Sequence, residues 1–203
     1  VVALPGVLTG LTPATITNFD RDPQTGISWG RYAGGNVAIF DRIGGPGAFT
    51  PVAANVSTQN WHFINSGQQN GAVLLPTSGT FNYTFAGGTS PTDNLGNVGT
   101  LTAQSLTANF TAQTVSASVT ANFTAANNTG AWVATTGTPG NTFIPIQQGI
   151  FFQGQTGVTA SNLTATVGGS SSGVSGRLTG IFAGNSGQGA MVGYSVNKGG
   201  TIG

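Results

Sequence analysis

The chain has no cysteine, no glutamate, one lysine and one histidine in 203 residues. Those gaps exclude disulfide scaffolds, thiol nucleophiles, cysteine-type zinc sites and catalysis by paired glutamates. Charge is scarce altogether: Asp, Lys and Arg make 4% of the residues, against about 25% in ordinary soluble domains. Clustered Lys/Arg, which nucleic acid and anionic lipid both require, is missing at a net charge of +1. No run approaches 18 apolar residues, so no membrane-spanning helix is expected. Val1–Gly10 has neither the basic start nor the long apolar stretch of a secretory signal. Val1 is therefore read as the start of a processed chain.

What is abundant is glycine, 34 residues, with threonine, serine, asparagine and small apolar side chains. At 38% hydrophobic, with a length that allows roughly 70% of the unfolded surface to be buried, the chain should fold. Strong helix formers for exposed positions are nearly absent, whereas β-branched and aromatic residues alternate with polar ones. Period-two patterns run through Thr80–Phe85, Leu106–Phe110, Val115–Phe123 and Ala190–Val196. Further strands are expected at Ala14–Phe19, Gly26–Ala33, Val37–Asp41, Asn60–Asn65, Ala131–Thr135, Ile150–Gln153, Ser161–Val167 and Val174–Phe182. Leu106–Ala112 nearly repeats as Val119–Ala125, and with no third copy this predicts a hairpin turning at Thr111–Gln113. The fold class is all-β: an antiparallel barrel or sandwich of about 8–12 strands, residues 13–203, with a sub-boundary near 87–98. A short apolar extension, residues 1–12, precedes it.

Six of the nine charged residues lie between Asp20 and Arg42, and none lies from Asn94 to Gly176. A surface of hydroxyls, amides and glycine does little to hold copies apart. Assembly or a glycan coat would follow, and the glycosylation pattern occurs at Asn55, Asn82, Asn109, Asn122, Asn127 and Asn162.

Several segments together resemble the β-rich C-terminal region of proteobacterial FecR-domain proteins. They are Gly26-Ile27-Ser28-Trp29-Gly30-Arg31-Tyr32, Trp61-His62-Phe63, Leu75–Thr80, Ser90-Pro91-Thr92-Asp93, the run Leu106–Phe123, and the closing Gly180–Gly184 and Met191–Val196. That region is in turn similar to the barrel module of surface lipoproteins related to transferrin-binding protein B. The resemblance implies an envelope or extracellular barrel without catalysis. The chain departs from it in lacking the FecR domain, a cysteine for lipid attachment, and one more strand after Ile202-Gly203. A missing last strand would leave an open sheet edge, which another chain can pair.

Chemistry offers less. His62, between Trp61 and Phe63, could ligate haem or act as a base, but only Asp20, Asp22, Asp41 and Asp93 could assist it, and a structural role is favoured. Gly169–Gly173 formally matches a nucleophile elbow yet reads as a flexible loop. Asp20–Gly26 lacks the final bidentate acid of a calcium loop and reads as a turn. In Trp29-Gly30-Arg31-Tyr32, Trp29 and Arg31 share a face opposite Tyr32, and Arg31 is expected to meet Asp20, Asp41 or a ring. No catalytic, metal or cofactor residues are assigned.

The expectation is a non-enzymatic, extracellular or cell-surface structural protein that polymerises with copies of itself, into a filament, by β-strand donation. Its assembly residues are Val1, Val2, Leu4, Val7, Leu8, Trp29, Tyr194, Val196 and Ile202. The alternative is a monomeric surface module capturing a host protein or a small ligand such as haem.

Overall fold

A computed structural model describes residues 14–41, 50–55, 60–66, 73–136, 143–158 and 163–203. These residues form strands and turns without helix. In chain order the strands are β1 (Thr15–Arg21), β2 (Ile27–Ala33), β3 (Asn36–Asp41), β4 (Thr50–Asn55), β5 (Trp61–Ser66), β6 (Thr80–Tyr83), β7 (Thr100–Asn109) and β8 (Thr114–Ala125). Then come β9 (Asn128–Thr135), β10 (Ile144–Gln147), β11 (Phe151–Gln155), β12 (Thr164–Val167), β13 (Val174–Ala183), β14 (Gly189–Lys198) and β15 (Thr201–Ile202). Ten of them make one antiparallel sheet in the order β12-β9-β8-β10-β11-β13-β14-β15, with β7 on the other edge of β8 and β6 beyond it. β1-β2-β5 form a separate three-stranded sheet, and β3-β4 a hairpin.

β8 organises the large sheet because its alternation is strict: Val115, Ala117, Val119, Ala121 and Phe123 are buried while the residues between them are partly exposed. β9 pairs with Ser118–Ala125 of β8, and β10 takes over the same edge at Thr114 and Val115. β10 then passes to β11, so the sheet turns over and its two halves enclose one core. Phe182 from β13 meets Tyr83, Phe110 and Phe152 with ring centroids 5.3–5.8 Å apart, joining the halves at one end. Phe123 and Trp132 pack edge-on at the other end. The two copies of the near-repeat thus supply Phe110 and Phe123 to opposite ends of the core, the outcome of a hairpin that turns at residues 110–113. The small residues Ala108, Ala117, Ala121, Ala134 and Ala165 between them let the layers approach.

The all-β, antiparallel expectation holds. The sheet path does not close among the described residues, so the architecture is a sandwich and not a closed barrel. Three strands escaped the sequence pattern. β4 and β10 carry Pro51 and Pro145, which read as strand breakers, and β15 is two residues long. Residues 1–13, and with them the extension at 1–12, lie outside the described residues.

The small sheet sits against the sandwich through Ile27 and Trp29, which pack on Ala183 and Met191. Gly87 has no room for a side chain because the Trp29 ring lies against it.

Candidate assembly edge and its surroundings

β14 pairs with β13 along all ten of its residues. Its other edge is covered at one end only: Thr201 and Ile202 pair with Lys198 and Asn197, and Gly203 exchanges hydrogen bonds of 2.8 and 2.9 Å with Val196. Backbone direction alternates along a strand, so Ala190, Val192 and Tyr194 point their N–H and C=O groups the same way as Val196. Among the described residues no strand pairs with them on that edge. Within Ala190–Ser195 there is no charge, proline or bulge of the kind that guards exposed edges. β1, also an edge strand, is guarded: its register slips between Thr17 and Asp20, and it carries Asp20 and Arg21.

The two faces of this edge differ. Ala190, Val192 and Tyr194 pack inward against the core. The Tyr194 hydroxyl is buried without a hydrogen-bond partner among the described residues, and burial raises its pKa. Gly193 and Ser195 face outward and are exposed. Beside them lies a shallow depression of about 360 Å³ lined by Arg177, Thr179, Gly193, Tyr194 and Ser195. The Arg177 guanidinium donates to Gln153 Oε1 at 2.8 Å.

Of the expected assembly residues, Val1, Val2, Leu4, Val7 and Leu8 lie outside the described residues. Tyr194 lies half-buried on the edge itself, and Ile202 is 45% exposed on β15. Trp29 is 5% exposed beneath Gly87, and the Val196 side chain is fully buried in the core. In both cases alternation puts the side chain on the inward face of its strand.

His62 points away from Trp61 and Phe63, toward the coil that follows β6. Its Nδ1 lies 2.7 Å from Thr89 Oγ1 and its Nε2 2.7 Å from Thr92 Oγ1. Burial, together with Arg31 opposite it in register, lowers the His62 pKa to about 4. A neutral ring held at both nitrogens is a latch between the small sheet and the sandwich, and neither nitrogen is free for iron. Arg31 donates from Nε to Thr17 Oγ1 at 3.1 Å, where a carboxylate or ring was expected, and its Nη1 is buried without a partner among the described residues. Asp22 accepts from the Thr25 hydroxyl and from the Gln24 and Thr25 amides, which together lower its pKa and close the turn before β2. Gly169–Gly173 is a turn between β12 and β13, with Gly169 and Gly173 at positive φ.

From sequence Asp93 stood only as one of four possible aids to His62 and in the resemblance segment Ser90–Asp93, and its structural role was not foreseen. Asp93, 4% exposed, accepts from the Leu95 and Asn97 amides and from the Asn97 and Asn128 side chains at 2.7–3.0 Å. Burial would raise its pKa, but these hydrogen bonds outweigh burial and lower it. Asn128 in turn accepts from Trp132 Nε1 at 2.9 Å. The turn so formed presents Asn94, which bonds Ile202 and Gly200 and fastens β15. Asp93-Asn94-Leu95-Gly96-Asn97 has the composition of such a turn, but nothing local points to Asn128.

Among the candidate glycosylation sites, Asn82 and Asn127 are exposed and Asn109 and Asn122 half-buried; Asn55 ends β4, and Asn162 lies outside the described residues. No helix among the described residues is long and apolar enough to cross a membrane, and they hold no cluster of three metal-ligating side chains. Comparison with protein-family models, curated proteins and solved structures found no match.

Proposed function

We propose that this chain is a non-enzymatic structural protein of the extracellular space or cell surface that polymerises by β-strand donation, the extension at 1–12 of one copy pairing with β14 of the next. The observation that carries the reading is the stretch Ala190–Ser195, whose edge away from β13 no strand pairs among the described residues. Each backbone hydrogen bond gained there contributes about 0.5–1.5 kcal/mol net, and the donor's inward side chains add burial. A donor at one end of the chain and an acceptor near the other make a heterologous contact, which propagates into a filament unless it closes into a ring. The scarcity of charge agrees with a surface that meets more protein.

Negative-stain microscopy of the full chain should show filaments, and deleting Val1–Leu8 should leave a β-type circular dichroism spectrum but no polymer. Undiminished polymer after the deletion would refute donation from this segment.

A further inference from the structure

Among the described residues, nothing in its own subunit calls for a glycine at Gly193. Glycine in mid-strand weakens the strand and commonly marks close approach by another group. At four other strand glycines that group is visible: a Cβ at Gly30 would lie 2.5 Å from the Phe63 ring, at Gly176 2.8 Å from Ala165, at Gly189 2.9 Å from Thr25, and at Gly180 it would overlap the Phe152 ring. The turn glycines instead have positive φ, as at Gly184, Gly199 and Gly200. Gly193 has neither feature. Its φ is ordinary, the nearest atom to a Cβ would be Thr179 Oγ1 at 3.7 Å, and it floors the depression beside the unpaired edge.

From this, and resting on the strand-donation reading, we infer that Gly193 is the seat of Pro5 from a second copy. Every pairing among the described residues is antiparallel, and an antiparallel strand continuing past Gly203 along β14 meets six open positions. Proline has no N–H, so Pro5 must lie opposite a residue whose N–H and C=O point away from the new strand. Met191, Gly193 and Ser195 are such residues. Pairing Pro5 with Gly193 fits Ala3–Leu8 onto Ser195–Ala190. Leu4 and Leu8 then turn inward beside Tyr194 and Ala190, where the core already reaches the edge. On the outer face, Ala3 meets Ser195, Pro5 meets Gly193 and Val7 meets Met191, each smaller residue against a larger one. The 13 residues before Ala14 reach about 40 Å when extended, enough to span to a neighbour.

The absence of cysteine makes a clean test. Opposite residues of a non-hydrogen-bonded pair lie about 4.5 Å apart at Cα, within disulfide range. Full chains carrying Pro5→Cys and Gly193→Cys together should oxidise into a covalent ladder, whereas Leu4→Cys with Gly193→Cys should not, because Leu4 faces the core. A ladder from Leu4, or one from Ala3→Cys or Val7→Cys in preference to Pro5→Cys, overturns the register. A bridge within single chains overturns the second copy as occupant. Gly193→Val, whose Cβ would be in ordinary contact with Thr179, should keep the thermal midpoint of the unassembled chain at or above its wild-type value while raising the concentration needed for polymer at least tenfold. Wild-type-like polymerisation of Gly193→Val overturns the seat but leaves strand donation standing, whereas a wild-type chain that forms no polymer overturns strand donation itself.

Discussion

Replacing Asp93 by alanine should cost the fold about 3 kcal/mol. The carboxylate satisfies four donors at 2.7–3.0 Å. Asn128 is 7% exposed, so its stranded Nδ2 has no access to water and contributes about 1–3 kcal/mol of the loss. The Asn97 groups and the Leu95 amide lie nearer the surface and recover water, adding about 0.5 kcal/mol each. Asn128 also holds the indole of Trp132, which is 2% exposed, so its fluorescence reports the change directly. Urea unfolding followed by that emission gives the free energy. Asp93→Asn keeps one acceptor oxygen and should lose about half as much. Because Asp93 and Asn128 share a bond, Asp93→Ala and Asn128→Ala should be strongly non-additive. A loss below about 1 kcal/mol for Asp93→Ala, or simple additivity with Asn128→Ala, would mean that the network does not organise the turn. The lowered carboxylate pKa adds a sign: its stability is present above pH 3.8 and lost as pH falls through the lower folded value.

Gly180→Ala should destabilise by about 1–3 kcal/mol, because the added carbon meets the fully buried Phe152 ring, while Gly193→Val should be neutral or stabilising by up to about 1 kcal/mol; equal effects in calorimetry would contradict the distinction between the two glycines. For His62, a folded pKa of about 4 against the usual 6.5 means that protons prefer the unfolded chain, so its contribution is whole above pH 6.5 and declines as pH falls toward 4. The ring is exposed on its outer side, so screening limits the loss to about 1 kcal/mol. His62→Gln should flatten the thermal midpoint across that window, and an unchanged slope would disprove the latch.

The strands with strict alternation were legible in the sequence because a sheet with one buried face imprints period two on its residues; β8 and β14 are the clearest cases. The same signal gave the fold class but not its closure. Barrel and sandwich differ in pairings such as Ile144 with Val115, which depend on contacts distant in sequence. That Trp29 and Arg31 share a face was legible, but that Trp29 is buried on it depends on the neighbouring Gly87, distant in sequence. Gly193 was invisible among 34 glycines, since its distinction is the empty space around a Cβ it does not have.

β10, four residues long, is the hydrogen-bonded hinge through which one half of the sandwich is joined to the other. The β7-β8-β9 meander and the β13-β14 hairpin pair neighbours in sequence and can form quickly, each with an unfinished apolar face. β10 joins them through β11 on one side and, on the other, through a pairing with β8 that is distant in sequence, so closing the core over both faces depends on the non-local contacts that form slowly. An open edge of the kind β14 presents among the described residues is where a partly folded chain is most exposed to pairing with the wrong strand.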